Sequence, residues 1–167
     1  MAEFIAYAKA NPNTLSYSSA GAGTTGHLIG KLINMETKTD LQHIPCTGVA
    51  QAVTAAVGNH AQACYISLSA CAPHIKSGAV KALAVLAPKR EPEIPQVPTT
   101  VEQGLASLIA PSYHIIYPPA KIPAPILSRL ESALEKALGD KEVDKKIEAL
   151  SLNAFFLELS RYKEIPG

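Results

Sequence analysis

The run Ser18-Ser19-Ala20-Gly21-Ala22-Gly23-Thr24-Thr25-Gly26 constrains this chain more than any other stretch. It contains no large side chain, and its glycines suit a tight turn rather than the inside of a helix or strand. Before it, Leu15 to Ser18 reads as a short strand; after it, Leu28, Leu32 and Ile33 recur at helical spacing over about Thr25 to Asn34. A strand that turns directly into a helix is the opening of a βαβ unit, and the same rhythm continues. Leu41 to Ile44 predicts a strand closed by Pro45, Gly48 to Val57 a helix stopped by Gly58-Asn59, and Ala63 to Leu68 a strand. Ala70 to Ser77 then predicts a short helix ended by Gly78, and Val80 to Leu86 a buried strand. A helix over Ala2 to Ala10, stopped by Asn11-Pro12, precedes them all. Alternating strands and helices predict an α/β fold, a three-layer, mostly parallel sheet with flanking helices.

The second part of the chain reads differently. Pro88 to Pro98 holds four prolines among charges and predicts an extended surface connection. Thr99 to Gly104 predicts one helical turn capped by Thr99 or Thr100, with Glu102 nearby. His114 to Tyr117 is a strand candidate, Pro118 to Pro125 is proline-rich, and Pro125 suits a first helical position. Ile126, Leu127, Leu130, Leu134 and Leu138 then mark an amphipathic helix, with a last helix over Lys141 to Leu150. These shifts predict an α/β lobe over residues 1–111, a strand and helices over 112–152, and a tail without clean periodicity over 153–167. One strand and two helices cannot close a core alone, so the second piece needs the first or a partner.

Hydrophobic residues make up 47% and aromatics only 5%, with no Trp, so the core is aliphatic and Ala-rich. A formal net charge of +1 argues against a nucleic-acid binder, which would carry a basic stripe. No apolar run reaches the roughly 18 residues of a membrane-spanning helix. The N-terminus has neither a basic start nor an apolar signal core, and three cysteines (Cys46, Cys64, Cys71) make no disulfide scaffold. If Met1 is the natural start, these features predict a cytoplasmic chain.

The small-residue turn is where chemistry is expected. The first amides of a helix have no intrahelical acceptor and lie at the positive end of its dipole, so a phosphate or carboxylate suits them. Glycine lets a ligand approach the backbone, and Ser18, Ser19, Thr24 and Thr25 add hydroxyls. The plain alternative is a strand-to-helix turn capped by Thr24 or Thr25. The literal G-x-G-x-x-G also raises a dinucleotide site, but the second strand ends in His43-Ile44-Pro45-Cys46-Thr47, without the acid that would hold a ribose. No Gly-Lys-Ser/Thr follows for a P-loop. His60, Cys64, Cys71 and His74 offer zinc-type ligands, yet Cys64 falls in a strand-like run and reads as a core residue. No Ser/His or Cys/His nucleophile signature occurs, so no catalytic residue, metal or cofactor is assigned.

Several stretches in order carry a family resemblance: Asn11-Pro12-Asn13-Thr14-Leu15-Ser16-Tyr17-Ser18-Ser19-Ala20-Gly21 with Gly23-Thr24 and His27-Leu28, then His43-Ile44-Pro45 with Gly48, then Pro73-His74-Ile75-Lys76-Ser77-Gly78. Val97-Pro98-Thr99 with Glu102, and Pro125-Ile126-Leu127 with Arg129-Leu130, continue it. From Asn11 to Leu152 the chain resembles the C-terminal half of the substrate-binding receptors of tripartite tricarboxylate transporters, the TctC or Bug type. The resemblance implies one lobe of a type II periplasmic-binding-protein-like fold plus an incomplete piece of the other lobe. It implies a small carboxylate ligand held without covalent chemistry, membrane transporter subunits as partners, and a periplasmic location. The family's Ser-Ala-Gly-x-Gly-Ser/Thr loop falls on Ser19, Ala20, Gly21, Gly23 and Thr24, with Thr25 beside them, so these inherit the ligand-binding expectation. Departures stand beside it: Pro45-Cys46-Thr47-Gly48 replaces the family's Pro-Tyr-Lys-Gly, and two family aspartates fall on Ile66 and Gln62.

Three functions follow as expectations: a receptor-derived, non-enzymatic domain that still holds a carboxylate; a lobe without ligand that serves as an oligomeric scaffold; and a nucleotide-dependent enzyme. Apolar surface that a second lobe would cover predicts a homo-oligomer, with Ser112 to Leu150 exchanged between protomers.

Overall fold

Alternation along β1 (Ser16–Ser19) decides how the first part of the molecule is layered. In a strand, successive side chains point to opposite faces. Tyr17 faces α2 (Thr25–Thr37), where a Cβ on Gly30 would run into its ring. Ser18 faces the other way and donates its hydroxyl to the Ala52 carbonyl of α3 (Val49–Val57) at 2.8 Å. Ser19 returns to the α2 side, its Cβ 3.2 Å from where a Cβ on Gly26 would stand. One strand of four residues thus carries a helix on each face.

The computed structural model describes residues 1–110 and 116–149, and the chain divides into two units, Met1–Pro111 and Ser112–Gly167. In the first, β2 (Gln42–Pro45) and β3 (Ala63–Cys64) flank β1 in the order β2-β1-β3, and both pairings are parallel. This is the expected parallel α/β sheet with flanking helices. Tyr17 is fully buried and packs with Ala8 of α1 (Ala2–Ala10) and with Leu41, while Phe4, Leu15, Ala63 and Tyr65 close around them. Burying side chains of this size contributes about 1.5–3 kcal/mol each. On α3, Ala52 and Val53 are buried, with Ala61 and Ala72 of α4 (Leu68–Lys76).

Helix α2 runs past the expected end at Asn34 to Thr37, whose hydroxyl donates to the Ile33 carbonyl at 2.6 Å. It stops at Lys38, which takes a left-handed φ of +53°. Asn34 then fixes the entry to β2, accepting from the Leu41 amide at 3.1 Å and donating to the Leu41 carbonyl at 2.9 Å.

Three expectations change. The strand expected over Ala63 to Leu68 pairs only at Ala63 and Cys64. The Tyr65 amide still donates to the Ser18 carbonyl at 3.2 Å, but β1 ends at Ser19, so Ile66 onward has no strand to pair with; α4 starts at Leu68 instead. Val80 to Leu86 is half-buried and forms a single parallel bridge, Val85 to Thr99. Proline at 98 has no amide to extend that pairing, and the Leu83 carbonyl is taken by the Gln103 side chain at 3.1 Å. The Pro88 to Pro98 stretch is no mere surface connection: its turns bury Ile94 and Val97. The Thr99 turn is closed reciprocally, the Thr99 amide donating to Glu102 at 2.7 Å and the Glu102 amide to the Thr99 hydroxyl at 3.1 Å.

In the second unit, α5 (Ala124–Leu138) carries Pro125 in its first turn, and α6 (Lys141–Glu148) is capped by Asp140, which accepts the Glu142 amide at 2.8 Å. Neither helix has a buried residue. Ile116 and Tyr117, expected in a strand, lie outside regular structure. The rest of that candidate strand, Leu150 and the 153–167 tail lie outside the described residues.

Candidate functional site

In an open parallel sheet, ligands bind beyond the carboxyl ends of the strands, where the chain leaves neighbouring strands in opposite directions. Here that point lies at the end of β1, between it and β3, because β2 sits on the other side of β1. The turn over residues 20–24 leaves β1 there, and the N-terminus of α4 follows β3 close by. Gly26 shows how tightly these parts meet: a Cβ on it would overlap the Tyr65 carbonyl oxygen.

Gly21 and Gly23 have φ of +137° and +79°, backbone that side-chain-bearing residues rarely adopt. A Cβ on Gly21 would stand 3.2 Å from the Cys46 carbonyl, whereas one on Gly23 would meet open space. Thr24 is the N-cap of α2, but its hydroxyl donates to the Gly21 carbonyl at 2.7 Å and does not cap the helix. The capping by Thr24 or Thr25 that the plain alternative supposed is absent, the Thr24 hydroxyl being committed to holding the turn. No side chain caps α2, so its first amides face outward with the dipole behind them.

Ser19 anchors the inner side. It is fully buried, accepts the Gly21 amide at 3.2 Å and lies 2.7 Å from His43 Nε2. Its single proton serves either that nitrogen or the Gly21 carbonyl, which is 3.1 Å away. His43 pairs in register with Tyr17 across β1 and β2 and stacks on its ring at 5.0 Å. On its other neighbour, His27, it stacks at 4.1 Å. Burial pushes the His43 imidazole below its usual range, and His27 and Lys31 push it further. His27 Nδ1 accepts the Gly23 amide at 3.1 Å.

Ser19, Gly21 and Thr24 are thus joined by hydrogen bonds within one turn, Gly23 is tied to His27 instead, and Ala20 is half-buried. Thr25 is exposed, and among the described residues its hydroxyl has no partner. His27 and His43 belong to this site and were not among the sequence candidates. The only signal was their place in the motifs His27-Leu28 and His43-Ile44-Pro45; single imidazoles carry no local pattern.

The other candidate chemistry sits elsewhere. The neighbouring thiols of Cys64 and Cys71 act on each other: Cys64 is lowered, and the Cys71 proton is held on, further by burial. No group of three or more potential metal ligands forms among the described residues. The strand order separates the G-x-G-x-x-G turn from a dinucleotide fold, in which the third strand lies outside the second. An open cavity of about 310 Å³ on α1, lined by Met1, Ile5, Lys9, Gln103 and Leu105 among others, includes none of the turn residues.

Comparison with known proteins places this geometry. A solved structure of MatC from Rhodopseudomonas palustris with bound malate superposes with a TM-score of 0.81 at 27% identity, covering 96% of this chain and 54% of that one. An adipate-bound protein of R. palustris gives a TM-score of 0.80 at 25% identity, covering 90% and 50%. A UPF0065 protein of Bordetella pertussis is 34% identical over 137 residues, 82% of this chain and 42% of its own length. The chain spans about half the length of the curated relatives it matches. The family model described as tripartite tricarboxylate transporter family receptor matches residues 1–162, and the chain belongs to that receptor family.

Proposed function

We propose that this chain forms one lobe of a solute-binding receptor and holds a small organic carboxylate without covalent chemistry. The ligand contacts are the backbone amides and hydroxyls of the turn: Ser19, Ala20, Gly21, Gly23, Thr24 and Thr25. One observation carries the reading: an uncapped helix N-terminus opened by two left-handed glycines at the carboxyl end of the central strand. Malate and adipate in the related structures support carboxylates as the ligand class. The Ser19 hydroxyl does lie 2.7 Å from His43 Nε2, but Ser19 is fully buried and is also engaged by the turn's own backbone, so the pair is not presented to a substrate. The reading is therefore a binding protein and not an enzyme. Family membership further supports a periplasmic location and membrane transporter subunits as partners.

Affinity should be modest, because a carboxylate held on one lobe keeps much of its surface in water. A thermal-shift screen against mono-, di- and tricarboxylates, NAD and ATP at one protein concentration tests the reading. Ligand at 100 times its Kd stabilises by about 2.7 kcal/mol. We expect a rise with one carboxylate class and its loss in Gly23→Asp. A Cβ there meets open space, but the φ of +79° strains any side chain, so the ligand-free melting point of the variant is measured beside the wild type's; the introduced carboxylate places a negative charge where the ligand's would lie. A rise with NAD or ATP alone would replace this reading with the nucleotide enzyme.

A second reading, self-association, is favoured by exposed apolar side chains. Leu28 and Met35 on α2 are 60% and 76% exposed, and Ile126 and Leu130 on α5 are each 51% exposed. Light scattering on a dilute sample should give more than the monomer mass; a monomer would remove the homo-oligomer.

A further inference from the structure

His27 holds an unusual post for a titratable group. It is the third residue of α2, and its ring turns back so that Nδ1 accepts the Gly23 amide, one of the donors assigned above to the carboxylate. A nitrogen that accepts carries no proton, so this bond requires a neutral imidazole with its hydrogen on Nε2. Protonation puts a hydrogen on Nδ1 and sets two donors against each other, and the bond must open. The Gly23 amide and the imidazolium N–H then form a pair of donors, one charged, of the kind that carboxylates bind most strongly. Imidazole is the side chain whose charge ordinarily changes between pH 5 and 8.

We propose that His27 gates the glycine turn: neutral, it occupies the Gly23 amide; protonated, it releases that amide and joins it in holding the carboxylate. The inference rests on the carboxylate reading of the same turn.

The surroundings make the proton and the anion depend on each other. A positive charge near the start of a helix is opposed by the helix dipole. His43 faces His27 from β2, stacked at 4.1 Å. Lys31 lies one turn further along α2. Tyr17, from β1, donates its hydroxyl to the His27 carbonyl at 3.2 Å, and Tyr65 packs on Tyr17 at 5.0 Å. Burial holds both phenols protonated. None of these groups is acidic, so the protein supplies His27⁺ with no counter-charge there, and a bound carboxylate does. By linkage, the anion raises proton affinity and the proton raises anion affinity by the same factor.

A merely structural role is the alternative, since a side chain at the third helical position commonly accepts an amide just before the helix, as Glu or Gln does in a capping box. His27→Gln separates the two, because it keeps an acceptor and cannot be charged. Sodium succinate is titrated calorimetrically into the intact chain from pH 6.5 to pH 8.5, where the ligand is essentially the dianion throughout, at fixed ionic strength and in buffers of differing ionisation enthalpy. The dissociation constant should fall as pH falls, approaching about tenfold per unit for one coupled proton, with protons taken up on binding. His27→Gln should bind with a flat pH profile, and His60→Gln, at an exposed histidine outside the turn, should keep the slope. A flat wild-type profile, or a slope retained in His27→Gln, overturns the gate and leaves the carboxylate reading standing. If neither protein binds any of the screened carboxylates at any pH, the reading itself fails and the gate with it. Should His27→Gln not fold, the wild-type Gly23 amide decides by NMR without ligand: its resonance must move with His27 protonation, and a Gly23 signal unmoved through the His27 titration overturns the proposal.

Discussion

The turn between β1 and α2 and the helix pair α5–α6 are built on opposite principles. Around the turn, one buried strand sets everything: Tyr17 meets Gly30, Ser19 meets Gly21 and His43, and Ser18 meets Ala52. Each contact joins residues far apart in sequence or in special backbone conformations. The α5–α6 pair has good helix formers, a capping Asp140 and an i,i+3 pair of Glu142 and Lys145 at 3.4 Å, yet no buried side chain. The first region is held by packing, the second by local helix preference. Local preference alone is a weak source of stability, so a substitution that is ruinous in one region should pass almost unnoticed in the other.

The largest effect is expected at Gly30. A valine there drives carbon into the Tyr17 ring, and overpacking a closed core costs about 1–3 kcal/mol or more. Chemical denaturation of Gly30→Val should show a much lower midpoint, and an unchanged midpoint would mean that α2 does not press on Tyr17. A middle effect belongs to the Thr99–Glu102 turn. Thr99→Ala removes the side-chain half of a reciprocal cap, a loss of about 1 kcal/mol, measurable in the same denaturation series. Its pH dependence has a definite sign. The Arg90 guanidinium, 2.9 Å away, and then the Thr99 amide hold the Glu102 carboxyl below its ordinary range. A depressed folded value means that the stabilisation is present above the ordinary carboxylate range near pH 4 and is lost as pH falls through the lower folded value. Glu102→Gln should flatten that acid limb. Glu102 is exposed, so solvent keeps this contribution small. The smallest effect is expected on α5, where Leu130→Lys should change unfolding stability by no more than about 0.5 kcal/mol. It should lower the scattering mass if α5 mediates self-association.

The same contrast explains what could be read in the sequence. Helix α1 and the core of α5 announce themselves through apolar spacing and their Pro and Asn punctuation, because helix formation is local. The parallel sheet follows from the alternation of elements. The glycine turn stood out because φ values such as +79° at Gly23 need glycine. What stayed hidden depends on partners distant in sequence. β3 is short because β1 ends, Val85 finds a single bridge because Pro98 lacks an amide, and Ile94 and Val97 are buried by turns in a stretch whose prolines suggested surface. His27 and His43 were hidden for the same reason: their stacking depends on β2 pairing with β1 in the register Tyr17 to His43.

The central claim is that a carboxylate sits on the turn and nowhere else in the first unit. The most direct test is amide chemical-shift mapping of the isotopically labelled chain during titration with a dicarboxylate. The account predicts saturable shifts centred on Ser19, Ala20, Gly21, Gly23, Thr24 and Thr25, with His27 following. Saturable shifts centred instead on α1 and the Gln103–Leu105 cavity, or no saturable shifts with any dicarboxylate, would contradict it.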